Sequence, residues 1–336
     1  MQFIEDLYTH LLRRSPSSTE IQHWVRQMDE GLSERAVFYR FISSSEYQAT
    51  HRIRLPFPIG HFHSPIVDPD EARKYVPRDR NMDPGLLPGL TLSLAGMEEF
   101  WASNGALISR TPFAKSAGSS TRYYYDNAVY PIGDATIYRL MILHHRPKRI
   151  IEVGSGFSSA AALDAIDESE QETQLTCIEP DPTRLFGLIR PSDRLRIRVM
   201  EDVVQAVPLS TFDQLEEHDI LFIDSTHVVK TGSDVNHELF SVLPRLKPGV
   251  VIQIHDILYP FEYPDEWVYA HNYSWNEIYA IRAFLMHNHD YRVDFFNDLF
   301  ARKFVRVIEQ VYPTFLLNPG GGIWLTKTGP RSETSG

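Results

Sequence analysis

Residues Arg149–Ala160 read RIIEVGSGFSSA: a short apolar run, two glycines one residue apart, then small residues that open a helix. Ile150, Ile151 and Val153 suit a buried strand. Gly154 and Gly156 let the backbone turn tightly and approach a ligand where a Cβ would collide. Ser158 is placed to cap the following helix. Three further apolar runs repeat the pattern, at 174–178, 220–223 and 250–254, and helical segments are expected between them at 158–166, 183–189 and 234–246. Alternation of this kind predicts an α/β fold, with a parallel sheet covered by helices on both faces. Such sheets bind ligands beyond the carboxyl ends of their strands, at the switch point of the strand order.

Polar residues gather at those predicted ends. The first strand carries Glu152, and the second ends CIEPDP, with Glu179 just past its edge. An acid there can accept both hydroxyls of a ribose, at roughly 1.5–3 kcal/mol per charge-assisted bond. Asp202 follows a third strand in RIRVMEDV, with Glu201 beside it; the fourth ends FIDSTH and the fifth IQIHDI, which brings Asp224, His227, His255 and Asp256 to one edge. A dinucleotide fingerprint needs a third glycine at the position of Ser159, so the loop departs from a nicotinamide site. No glycine stands two residues before Ser155, so it does not form the elbow of a serine hydrolase.

The order Glu152-x-Gly154-x-Gly156, within Arg149–Ile257, resembles the first motif and strand-end pattern of class I S-adenosylmethionine-dependent methyltransferases. More narrowly, it resembles a branch of bacterial small-molecule and sugar O-methyltransferases. The resemblance extends upstream through YYYDNAVYPIGDA (123–135) and downstream through WNEIYAIRAFL (275–285). It implies a doubly wound Rossmann-like sheet in which Gly154, Ser155 and Gly156 form the floor of the cofactor site. Glu152 would face the cofactor's amino group, Glu179 the ribose, and Asp202 or Glu201 the adenine. Asn127 or Asp126 would supply polar contacts from a segment folded over the cofactor. In metal-dependent relatives the fourth and fifth strand ends hold magnesium. Here Asp224, His255 and Asp256 occupy that place, and the nitrogen ligand suits manganese or zinc better than magnesium. His227, three residues beyond Asp224, stands where related enzymes place a catalytic lysine and is the expected general base. His255, beside Asp256, is its rival, and Asp224 completes the catalytic set. The aromatic residues Tyr259, Phe261, Tyr263, Trp267, Tyr269 and Trp275 are either an acceptor-stacking surface or the core of a long loop.

The remaining sequence differs in texture. Residues 1–50 show apolar residues at helical spacing, and Ser18 and Ser33 are read as helix starts. This stretch resembles a helical domain of unknown function similar to phycobilisome linker repeats, which implies protein docking and no chemistry. Residues 51–120 are rich in proline and glycine and read as a connector and lid. There His61 and His63 would share one side of an extended segment. The methyltransferase-like domain is expected at 121–328, followed by a disordered tail at 329–336.

The chain has 33 basic and 44 acidic residues, for a net charge of −11, which argues against general nucleic-acid binding. Cys177 is the only cysteine, and no apolar run reaches the roughly eighteen residues of a spanning helix. A cytoplasmic location is expected. The function expected is methyl transfer from S-adenosylmethionine to a hydroxyl of a small molecule or glycan. An NAD-linked oxidoreductase, or a scaffold with a vestigial cofactor pocket, is the alternative.

Overall fold

The computed structural model describes residues 2–51, 57–76, 79–118 and 120–329. They fall into two compact units. One holds the described residues up to 76 together with Asp265–Ser274; the other holds those from 79 to 264 and from Trp275 onward. The tail from residue 330 lies outside the described residues.

The first unit is helical, with helices Gln2–Asp6, Ser18–Asp29, Glu34–Ile42 and Ser45–His51, and a π-helical turn Leu7–Leu11 that continues the first. Its core is Ile4, Leu7, Tyr8, Leu12, Val37 and Phe41, with Trp24 and Tyr47 packed against them. Ser17, rather than Ser18, caps the second helix. Its hydroxyl accepts the Glu20 N–H at 3.3 Å while the Glu20 carboxylate accepts the Ser17 N–H at 2.8 Å. The Ser-x-x-Glu spacing of a reciprocal capping box selects that serine. Ser33 caps Glu34–Ile42 as expected. His61 and His63 do not lie on an extended segment: they sit in a turn where the His63 N–H donates to His61 Nδ1 at 3.1 Å.

The second unit contains a seven-stranded sheet in the order β3-β2-β1-β4-β5-β7-β6. The strands are β1 Arg149–Val153, β2 Gln174–Ile178, β3 Ile197–Met200, β4 Ile220–Ile223, β5 Val251–Ile254, β6 Tyr291–Phe296 and β7 Ile323–Lys327. Strands β1 to β5 are parallel, as the alternation implies; β7 runs antiparallel between β5 and β6, so the sheet is mixed. Strands β1, β4 and β5 are buried on both faces by apolar side chains, which is what a central parallel strand requires. The order reverses between β1 and β4, and a crevice opens there. Helices Ile132–His145 and Phe157–Ser169 pack on each other beside β1. The single helix expected over 234–246 is broken into helix Asp234–His237, a π-helical turn Glu238–Val242 and a 3₁₀ turn Leu243–Arg245. Pro244 has no N–H to return to the preceding turn, so regular α-geometry cannot continue through it.

The segment upstream of the sheet is held by charge. The Asp164 carboxylate accepts the N–H groups of Arg122 and Tyr123 at 2.9–3.0 Å, and the buried Arg122 guanidinium pairs with Asp164, Asp167 and Asp193. Tyr123–Tyr130 is thereby fixed alongside Phe157, at the start of the helix that follows β1.

Candidate functional site

At the switch point Gly154 adopts φ +78°, and a Cβ there would stand 2.0 Å from the Asp224 carbonyl oxygen. Only glycine allows the β1 loop to lie against the end of β4. A cavity of about 410 Å³ opens beyond these strand ends, lined among others by Gly154, Ile178, Glu179, Val203, Asp224 and Ser225. That volume lies within the roughly 300–1,000 Å³ usual for small-molecule sites. The half-buried Glu179 is oriented by the Ser155 N–H at 3.1 Å and the Asp181 N–H at 3.0 Å. The hydroxyls of Ser155 and Tyr130 are buried without a hydrogen-bond partner among the described residues.

Glu152, Asn127 and Asp202, expected at the cofactor, do not line this cavity. Glu152 is fully buried and turned into the core, where it accepts from the Tyr138 hydroxyl at 2.9 Å and from the Ser159 hydroxyl. Burial lifts its pKa to about 7 against those two bonds. Ser159 thus occupies the place of a fingerprint glycine because its hydroxyl is the partner of Glu152. Asn127 is consumed by its own turn: Nδ2 donates to the Tyr124 and Tyr130 carbonyls, and Oδ1 accepts from the Val129 and Tyr130 N–H groups. Asp202 is exposed and accepts the Val203 N–H at 2.8 Å; neither it nor Glu201 lines the cavity, although Val203 does.

Beside the cavity the ends of β4 and β5 bring four expected residues together. His227 Nε2 stands 3.5 Å from Asp224 Oδ1 and 3.4 Å from Asp256 Oδ2. His255 Nδ1 stands 3.3 Å from Asp224 Oδ1 and 3.4 Å from Asp256 Oδ1. Each imidazole is backed on its far side by a buried carboxylate: His227 Nδ1 meets Glu277 Oε2 at 2.8 Å, and His255 Nε2 meets Asp134 Oδ2 at 3.1 Å. His227 and Asp256 both adopt left-handed backbone, at φ +61° and +55°. Non-glycine residues are held so only where the surroundings over-determine them. The Asn276 and Glu277 N–H groups both donate to the His227 carbonyl at 3.1 Å, and the Trp275 ring packs 4.6 Å from the imidazole.

The electrostatics follow from this layout. Burial alone would lower both imidazole pKa values. For His227 the hydrogen bond and charge of Glu277, with Asp256 and Asp224, outweigh it and raise the value. For His255 the charges of Asp224 and Asp256, together with Asp134, raise it well above the usual imidazole range. Asp224 keeps 32% of its side chain exposed, and the two imidazoles hold its pKa below normal against the cost of burial. Asp256 and Glu277 are raised by burial. Two carboxylates at one sheet edge repel unless positive charge lies between them, and the paired histidines supply it. Among the described residues, no three His, Cys, Asp or Glu side chains stand as a ready set of metal ligands.

Sequence reasoning missed Asp134 and Glu277, although both lie in segments that carried the family resemblance. The available signal was an acid on an otherwise apolar helix. The aromatic cluster divides: Tyr259, Phe261 and Tyr263 are buried core of the second unit, Trp267 and Tyr269 belong to the first unit, and Trp275 rests on His227.

A family profile described as a methyltransferase domain matches residues 151–257, and one described as a domain of unknown function (DUF4214) matches residues 1–51. An uncharacterized protein of Archaeoglobus fulgidus is 31% identical over 174 residues, covering 48% of this chain and 75% of its own. Among solved structures, the chain is similar to the SAH-bound methyltransferase of Podospora anserina, at 16% identity over 70% of this chain and 88% of that one, with TM-score 0.38. It is also similar to an O-methyltransferase of Streptomyces achromogenes involved in tomaymycin synthesis, in complex with SAM, at 15% identity over 69% and 99%, with TM-score 0.40.

Proposed function

We propose that the chain, whose residues 151–257 match a methyltransferase domain, is a class I S-adenosylmethionine-dependent methyltransferase that methylates a hydroxyl of a small molecule or glycan, with His227 as the general base. The observation that carries this reading is the placement of His227. Its Nε2 edge faces Asp224, which also lines the cavity, while Glu277 holds its other nitrogen.

In this reading the Gly154 loop would admit the methionine end of S-adenosylmethionine, Glu179 would accept the ribose hydroxyls, and the Val203 side of the cavity would take the adenine. When bound, the sulfonium would supply the methyl group to an acceptor oxygen and leave as a thioether, and His227 Nε2, which faces Asp224 at the cavity, would take the hydroxyl proton. Holding the three groups in line supplies much of the rate, and the base about 10²–10⁴ more. His255, between Asp134, Asp224 and Asp256, supplies the positive charge that lets the two strand-end carboxylates coexist. A divalent cation at Asp224, His255 and Asp256 would lower the hydroxyl pKa when bound, but those side chains do not stand as a ligand set, and no step here runs through one.

No helix among the described residues is long and apolar enough to cross a membrane. We read the helical module as a protein-docking element, and a cytoplasmic location accords with the donor. The test is transfer of labelled methyl from the donor into metabolite extracts fractionated by class. A labelled hydroxylated metabolite that appears with the native chain and not with His227→Ala is expected. Label that appears on amines alone would overturn the hydroxyl acceptor.

A further inference from the structure

We propose that Asp134 is the positioning residue of His255, and that the Gly320–Gly322 loop and Asn297 hold it so that His255 presents Nδ1 to the reaction site. The inference deepens the methyl-transfer reading, because it names which ring edge of His255 works there.

Asp134 lies in the first turn of helix Ile132–His145 and is 1% exposed. Its carboxylate meets four donors: the Gly322 N–H at 2.9 Å and Asn297 Nδ2 at 2.7 Å on Oδ1, and the Gly321 N–H at 3.1 Å and His255 Nε2 at 3.1 Å on Oδ2. Backbone N–H groups cannot accept. The Asn297 amide is oriented by a second acceptor, the Pro319 carbonyl at 3.3 Å, so its NH₂ faces Asp134. With three obligatory donors in place, Asp134 is an acceptor toward the fourth, so His255 carries a hydrogen on Nε2 whether the ring is cationic or neutral. The other edge, Nδ1, is buried without a hydrogen-bond partner and faces Asp224 and Asp256.

The loop sequence is dictated by this task. A Cβ at Gly320 would lie 1.8 Å from Asp134 Oδ2, one at Gly322 would lie 2.8 Å from Oδ1, and Gly320 has φ +76°. Three consecutive glycines let backbone donors close around a carboxylate where side chains would exclude it. The groups facing His255 are Asp134 from the helix, Asp224 from β4, Asp256 from its own strand, and the Tyr130 ring at 5.4 Å.

The experiment is nitrogen-15 imidazole spectroscopy of the full chain, with His255 assigned by comparison with His255→Gln. The native chain should show Nε2–H for the His255 ring whenever it is neutral. Asp134→Asn keeps the volume: its one oxygen takes the place of Oδ1 and accepts from the Gly322 N–H and Asn297 Nδ2, so its NH₂ takes the place of Oδ2 and faces the ring. The variant should then show Nδ1–H, with S-adenosylmethionine affinity within about twofold of native. A native His255 that is neutral with Nδ1–H overturns the proposal without any variant being needed. An Asp134→Asn chain that keeps Nε2–H overturns it as well. Should the native chain bind no S-adenosylmethionine yet show Nε2–H, the methyl-transfer reading fails and the positioning role stands.

Discussion

His227 is pulled in two directions: burial opposes its charge, and Glu277, Asp256 and Asp224 favour it. The balance leaves its pKa above the free imidazole value of about 6.5, so the base is protonated to higher pH than an ordinary histidine. Turnover should therefore climb as pH rises through that raised value, not fall. Glu277→Gln removes the hydrogen-bonded charge and should move the rising limb to lower pH; an unmoved limb in a kcat–pH profile would separate the pair from the chemistry. The raised pKa of His227 contributes stability that is complete below the unfolded imidazole pKa and is lost as pH rises through the folded value. His227→Ala should lower kcat by roughly 10²–10⁴ with cofactor affinity unchanged. Glu179→Ala should instead weaken cofactor binding by about 2–3 kcal/mol with two ribose bonds lost, read by calorimetry, and an unchanged affinity would move the ribose contact elsewhere. Asp224, His227, His255 and Asp256 were legible in the sequence because they follow the ends of β4 and β5, and those strand ends share one edge. Glu277 and Asp134 were not, since they meet their histidines across 50 and 121 residues of chain. Asn127, one of two residues that the family resemblance set over the cofactor, has both ends of its amide engaged in a local turn.

Among the elements, β1 and its loop decide most. The Gly154 Cβ position is occupied by the Asp224 carbonyl, so Gly154→Ala must push the ends of β1 and β4 apart. A loss of about 1–3 kcal/mol is expected from the strained backbone alone, seen as a lower melting temperature together with weakened cofactor binding. A variant with native melting temperature and affinity would contradict the packing described. Strands β1, β2, β4 and β5 were readable because central parallel strands are continuous apolar runs. Strands β6 and β7 were not. Tyr291–Phe296 alternates buried Tyr291, Val293 and Phe295 with exposed Arg292 and half-buried Asp294, which a search for continuous apolar runs passes over. The helix expected over 234–246 was over-read because apolar spacing was weighed ahead of Pro244.

At the scale of the whole molecule, two units share one chain, and the second carries the strand-end cluster, the cavity and the sheet. The fold class was legible because strand and helix alternate through that unit. The excursion of Asp265–Ser274 into the first unit was not, because no local pattern marks where a chain crosses between compact units. With imidazoles balancing the strand-end carboxylates, turnover should survive a chelator, and His227→Ala should cost more than Asp224→Asn. Turnover that vanishes on chelation while cofactor binding persists would instead assign Asp224, His255 and Asp256 to a divalent cation. The central claim is the donor itself, and calorimetric titration of the full chain with S-adenosylmethionine, its demethylated product and NAD tests it most directly. Saturable binding of the first two, with a dissociation constant on the order of micromolar, and no heat with NAD is the predicted result. No heat with either sulfur compound, with clear binding of NAD, would contradict it.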